Sequence, residues 1–451
     1  MVTPSHLVAI FGGAVSGAEA ASQFTQRGIP CVVFDQNTLP YGKIEDGLPK
    51  WHAKLRDKEE ERINEKLSHP LVQYVPNVRL GTDISFEDVA RNWGFSAVLL
   101  ATGAWNDRPL GIEGVDEYVG KGLIYQNPFI YWFNHKHEPG YTGEQYEIRD
   151  GAIVIGGGLA SLDVLKVLMI ETVEQALKAR GHDVDMFALD RSIAKVLEEK
   201  GLTLNDLGIE GCTLYYRRRI KDMPLSPMET DTPEKLAKAE MVREKVLNNY
   251  QSKYLFKVEP LHMPVDKIVE DGQLVGLVMQ ETHIENGKAV PVAGSEKAVR
   301  ASYVISSIGS IPEMIAGIPS KWGVYDVADT SVCRISGYAH VFALGNAVTG
   351  RGNINESLKH GREVSERILA GFIEDPVGTA TEEAIAEKEN AIEKAVDGLL
   401  PSVTSISAET YADILSKVKA LQERAGYNGD FRAWVAVHLP VRLETLLGHS
   451  E

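Results

Sequence analysis

Two segments of this chain share one grammar. In residues 7–35 an apolar run from Leu7 to Phe11 meets a glycine cluster, then an alanine-rich stretch, then a second apolar run ending at Asp35. In residues 151–170 the run from Ala152 to Ile155 meets another glycine cluster and a long apolar helix pattern. A later run from Thr213 to Tyr216 closes that unit. A strand that enters a helix through a glycine turn leaves helix N–H groups aimed outward, and these form a phosphate site. Two such units restrict the chain to an α/β architecture with helices packed on parallel sheets.

The first turn carries Gly12, Gly13, Ala14, Ser16 and Gly17. A dinucleotide needs a tight turn, close backbone approach to its pyrophosphate, and close packing of helix on strand. Gly12 and Gly17 meet the first and third demands. Ala14 stands where the second glycine would be, with Gly13 beside it. Asp35 and Gln36 end the second strand, where a carboxylate accepts hydrogen bonds from an adenosine ribose.

The second turn carries Gly156, Gly157, Gly158, Leu159, Ala160 and Ser161. No acid ends its second strand; Arg217, Arg218 and Arg219 stand there instead. Guanidinium forks at this strand end suit a ribose 2′-phosphate, which selects NADP over NAD.

Composition removes other classes. The net charge of −16 gives no general attraction to nucleic acid or to an anionic membrane. Three scattered cysteines, with no CxxC, argue against a disulfide framework, a thioredoxin-type disulfide or a cysteine-held iron–sulfur cluster. No residue set is read as a metal site. The N-terminus lacks the basic and apolar regions of a signal peptide, so the expectation is a cytoplasmic protein.

Between and beyond the two turns the pattern is readable in outline. Residues 53–67 and 231–250 have the charge spacing of solvated helices. Residues 96–104 form a short strand ending in Ala101-Thr102-Gly103, and residues 338–348 form a strand ending at Gly345-Asn346. A helix is expected over 355–373. From 375 onward the style becomes helical, and Tyr411, Ile414, Leu415, Val418 and Leu421 share one helix face with Gly426 as its stop. This tail reads either as a docking arm, for a homodimer among others, or as a cap packed on its own body. Helix burial favours the cap.

These motifs, in this order, resemble adrenodoxin reductase-like ferredoxin–NADP reductases and the small subunit of glutamate synthase. The resemblance spans residues 5–373. Residues 41–52 (YGKIEDGLPKWH) resemble the family's aromatic–glycine segment near its flavin, and Phe129 to Asn134 resemble its Phe-x-x-Trp-Tyr-Asn stretch. Tyr216-Arg217-Arg218 with Met223-Pro224 resemble the glutamate synthase version. The glycines and asparagines of residues 345–355 resemble the C-terminal flavin signature, with Asn346 where many relatives have aspartate.

The resemblance implies FAD and NADP as cofactors. Gly42, Gly47, Leu48, Ala101, Thr102, Gly103, Gly345, Asn346, Asn353, Ile354 and Asn355 would join the first turn in holding FAD. His52 would lie near the flavin as the candidate catalytic residue.

The expected layout is an FAD domain in two pieces (1–110 and 335–374), an inserted NADP domain (111–334), both Rossmann-like, and a helical C-terminal extension (375–451). The expected activity passes hydride between NADPH and FAD, and electrons between FAD and a ferredoxin-like carrier. The alternatives are a small organic substrate, or a role as an electron-transfer or assembly subunit of a larger redox complex.

Overall fold

The computed structural model describes residues 4–350, 353–370 and 405–448. The chain forms two compact units. The first contains Met1–Asp46, Ala53–Asn106 and Ile311–Glu451; the second contains Gly47–His52 and Asp107–Ser310.

The first unit is built on a seven-stranded sheet. Its order is Val327–Asp329, Arg334–Ile335, Val341–Ala343, Ala97–Leu100, Val8–Phe11, Cys31–Phe34, Val72–Val75. The last five run parallel, with Val8 opposite Cys31 on one side and Ala97 on the other. Residues Val8 to Phe11, Cys31 to Phe34 and Ala97 to Leu100 are buried on both faces, which is why they read as unbroken apolar runs. The chain leaves Val8–Phe11 toward one side and returns on the other, so this strand is a topological switch point. Ligands of open parallel sheets bind beyond the carboxyl ends of the strands at such a point.

Helix Val15–Thr25 covers one face. Its small residues allow close approach: Ser16 lies against Gly361 of helix Ile354–Ala370, where a β-carbon would stand 3.0 Å from the Ser16 Cα. Glu19 is 2% exposed, yet Lys66 (2.6 Å) and Arg362 (2.8 Å) reach it. One buried carboxylate thereby ties three helices together.

The second unit has a five-stranded parallel sheet in the order Leu123–Tyr125, Val304–Ser307, Ile153–Gly156, Thr213–Tyr216, Lys257–Pro260. Ile153–Gly156 is its switch point. Helix Leu159–Ala179 follows, with Leu162, Val164, Leu165 and Leu168 buried. An antiparallel sheet of His262–Glu270, Gln273–Glu285, Lys288–Pro291 and Lys297–Arg300 belongs to the same unit.

The described tail packs on the first unit. Helix Ala408–Ala425 stops at Gly426, whose φ of 75° needs a glycine-like conformation. Ile414 and Val418 enter the core on one side of the sheet, while Tyr427, Phe431, Trp434 and Val435 enter the other. Trp434 Nε1 donates to Thr38 O at 2.8 Å, and Gln422 Nε2 donates to Tyr74 O at 2.8 Å. Arg442 forms ion pairs with Glu45 and Glu60, and Arg56 pairs with Glu444. Burial and the neighbouring Glu45 push Glu60 up to about 8, against the pull of Arg442.

Arg442→Met would take a guanidinium partner from the buried Glu60 and the part-buried Glu45. Breaking a buried pair on one side costs ~3–5 kcal/mol, and Glu60 softens this by binding a proton. A loss of about 3 kcal/mol in chemical denaturation is therefore expected; an unchanged midpoint would show that Arg442 does not help to hold the tail. No helix among the described residues is long and apolar enough to cross a membrane.

Candidate dinucleotide sites

In the first unit, the glycine turn follows strand Val8–Phe11 at the switch point. Gly12 has a φ of +99°, and a β-carbon there would stand 2.4 Å from Ala101 O. A β-carbon on Gly17 would stand 1.8 Å from Gly12 O. These two positions admit glycine only, because backbone meets backbone on both sides. Ala14 precedes the helix in an extended conformation, and its own side chain makes no cap. Its methyl is accommodated by Gly42, where a β-carbon would come within 3.1 Å of it. Gly42 also has a positive φ of +52°.

Asp35 lies beside the turn and is 6% exposed. Its Oδ2 accepts the Gly13 N–H at 2.8 Å and its Oδ1 accepts the Asn37 N–H at 2.9 Å. Burial pushes its carboxyl up to about 6, despite those two amide donors. Each oxygen keeps a further lone pair for a hydroxyl donor. Gln36 follows, half-buried.

The strand end Ala101-Thr102-Gly103 packs on the Gly12 turn. Thr102 Oγ1 lies 3.3 Å from the Tyr325 hydroxyl, and Gly103 has a φ of +72°. Gly345 is brought to the same helix start: a β-carbon on it would stand 2.4 Å from Ser16 Oγ. Its N–H donates to His360 Nδ1 at 3.0 Å.

Asn346 Oδ1 is buried and has no hydrogen-bond partner among the described residues. A buried acceptor left unmade costs ~1–3 kcal/mol, so this atom fits a hydroxyl-bearing ligand. Asn353 Oδ1 accepts the Glu356 N–H at 2.7 Å and so caps helix Ile354–Ala370. Asn353 and Asn355 are exposed and Ile354 half-buried; Arg351 and Gly352 lie outside the described residues.

In the second unit, Gly156 and Gly157 are enclosed. A β-carbon on Gly156 would stand 2.2 Å from Ser161 Oγ, and one on Gly157 would stand 2.3 Å from the Tyr216 ring. Ser161 is fully buried, and its hydroxyl donates to Ser307 O at 3.0 Å across the switch point. Gly158 caps the helix, and Leu159 and Ala160 are exposed at its first turn.

The three arginines differ. Arg219 is held by Asp222 through two bonds of 2.8 and 2.9 Å. Arg218 donates to Gly287 O at 2.9 Å. Arg217 is exposed, with no side-chain partner among the described residues.

The segment Gly47–His52 belongs to this second unit. Asn134 Nδ2 donates to Leu48 O at 3.0 Å, and the Lys50 N–H donates to Asn134 Oδ1 at 3.2 Å. Gly47 is exposed. His52 Nε2 stands 3.8 Å from Asp163 Oδ1.

Lys50 and Lys166 were not singled out by their residue types, yet both ammoniums face rings. Lys50 Nζ lies 4.3 Å from the Phe133 centroid, and Lys166 Nζ lies 4.1 Å from that of Trp51. Burial, with Lys136 nearby, pulls Lys50 down to about 8. No periodicity in the sequence marks such contacts, because the partners are distant in the chain.

No family model matches the chain. It is similar to NADPH-Fe(3+) oxidoreductase subunit beta of Geobacter sulfurreducens, 27% identical over 332 residues, covering 70% of this chain and 39% of that protein. It is 25% identical over 358 residues to the mitochondrial NADPH:adrenodoxin oxidoreductase of Arabidopsis thaliana, covering 70% of each. It is 24% identical over 373 residues to the glutamate synthase [NADPH] small chain of Bacillus subtilis, covering 80% of this chain and 66% of that one. The chain thus spans about two-fifths of the Geobacter relative's length. Among solved structures, Mycobacterium tuberculosis FprA in complex with NADPH matches with a TM-score of 0.67 and 18% identity, covering 94% of this chain and 91% of that one. The two-unit α/β fold is common to both. The resemblance carried by the motifs is met in the names of these relatives.

Proposed function

We propose that this chain is an FAD-dependent NADPH oxidoreductase that delivers electrons to an iron–sulfur carrier. The observation that carries the reading is the pairing of two glycine turns, each at the switch point of its own parallel sheet, with an exposed arginine at the second whose side chain has no partner among the described residues. The names of the relatives support it: one is an NADPH:adrenodoxin oxidoreductase and another an NADPH-Fe(3+) oxidoreductase subunit.

The first unit fits FAD. Gly12, Gly13, Ala14, Ser16 and Gly17 would face its pyrophosphate, and Asp35 with Gln36 its adenosine ribose. Asn346, with its orphaned buried oxygen, would accept from the ribityl chain. Gly42, Ala101, Thr102, Gly103, Gly345 and the helix start at Asn353, Ile354 and Asn355 would enclose the rest.

The second unit fits NADP. Gly156, Gly158, Leu159, Ala160 and Ser161 would form the pyrophosphate turn, and Arg217 with Arg218 would hold the 2′-phosphate. Gly47, Leu48 and His52 belong to the segment whose motif resembles the family's flavin-adjacent stretch. His52, whose Nε2 stands 3.8 Å from Asp163 Oδ1, is the candidate catalytic residue of that segment. The two cofactors supply the hydride and electron chemistry; the chain binds and orients them and excludes water.

The purified protein is expected to be yellow, and its flavin absorbance to bleach under anaerobic NADPH much faster than under NADH. Reoxidation by an added ferredoxin then tests the carrier. Equal bleaching by NADH would remove the arginine reading, and a protein that takes up no flavin would remove the whole proposal.

A further inference from the structure

A third guanidinium stands beside the arginine pair at the end of strand Thr213–Tyr216. Arg243 lies on helix Pro233–Tyr254, which packs on the short turn Ile220–Asp222. Its Nη1 donates to Lys221 O at 2.8 Å, which fixes the side chain over that turn. Its Nε is buried and has no hydrogen-bond partner among the described residues. Arg218 Nε is in the same condition; its nearest carboxylate, Asp222, stands 3.7 Å away. Two buried guanidinium donors without acceptors on one small surface are costly unless an anion arrives.

The ring of Tyr216 places this surface at the turn, because it lies against Gly157. Burial pushes the Tyr216 phenol up, while Arg218, Arg217 and Arg243 each pull it back and Asp222 opposes them. The three positive charges therefore act on one ring. Arg219 is different: its fork is filled by the Asp222 carboxylate.

We propose that Arg243 is a specificity-determining residue that completes the 2′-phosphate grip with Arg217 and Arg218, while Asp222 keeps Arg219 out of it. This rests on the assignment of NADP to the second unit. Three guanidiniums suit the charged oxygens of a phosphate monoester, whereas an unphosphorylated ribose offers them only neutral hydroxyl acceptors.

The test is calorimetric binding of adenosine 2′,5′-bisphosphate and of 5′-AMP to the full-length protein. Arg243→Gln, which removes the charge and the fork, is expected to weaken the bisphosphate about tenfold and to leave 5′-AMP within about twofold. Arg243→Lys, which keeps the charge but loses the fork, is expected to weaken the bisphosphate alone by about threefold. An unchanged bisphosphate affinity in either variant overturns the proposal. So does an equal loss for both ligands, which would mark Arg243 as a support for the turn. If the unsubstituted protein binds the two ligands equally, the NADP assignment falls. If Arg217→Ala discriminates and the Arg243 variants do not, that assignment stands and only the role of Arg243 falls.

Discussion

Gly17→Val is expected to give a colourless protein of reduced stability. Even a single β-carbon at this position would stand 1.8 Å from Gly12 O and 3.0 Å from Gly12 C. Neither atom belongs to a flexible side chain, so helix Val15–Thr25 must lift off the turn. That movement displaces Ser16 from Gly345 and Gly361, which it touches on the other side. Overpacking of a close-packed region costs ~1–3 kcal/mol and more when backbone must move. A loss of about 3 kcal/mol in urea unfolding is expected, with flavin absorbance per chain below about a tenth of the unsubstituted value. Stoichiometric flavin together with an unchanged midpoint would remove the first glycine turn from the proposed site.

The second large effect is on nicotinamide choice. Arg217→Ala with Arg218→Ala is expected to raise the KM for NADPH about 100-fold and to leave that for NADH within about twofold. Each charge-assisted bond to a phosphate contributes ~1.5–3 kcal/mol, and two such bonds account for that ratio. The Arg217 side chain has no partner among the described residues, so its removal breaks no bond there. Arg218 gives up one bond to Gly287 O on an exposed hairpin, a small structural cost. Steady-state reduction of ferricyanide with each nucleotide separates the outcomes. A parallel rise for NADH would mean that the arginines support the strand end and do not read the phosphate.

Much of this was legible because local rules act over short distances. Leu7 to Phe11 and Ala152 to Ile155 are unbroken apolar runs since both faces of their sheets are covered. The glycine clusters that follow them are legible as motifs, because a strand that turns tightly into a helix calls for glycine at fixed spacing. The face of Ile414 and Val418 and the stop at Gly426 follow from helix period and from φ alone.

Other features depend on residues that meet only after folding. Nothing around Asn346 announces a buried oxygen without a donor. Nothing in residues 231–250 distinguishes Arg243 from its exposed neighbours. The tail reads as helices, but whether they face a partner or their own body is decided by where Trp434 and Arg442 land.

The sequence by itself determined two strand–glycine–helix units and the charge at the end of each, because these are set by neighbours a few residues away. The tertiary structure decided which of the three arginine side chains is left without a partner among the described residues and which glycines admit no side chain. It also seated the tail on the first unit. Those outcomes rest on contacts between distant segments, where a few ångströms settle whether a charge is paired or open.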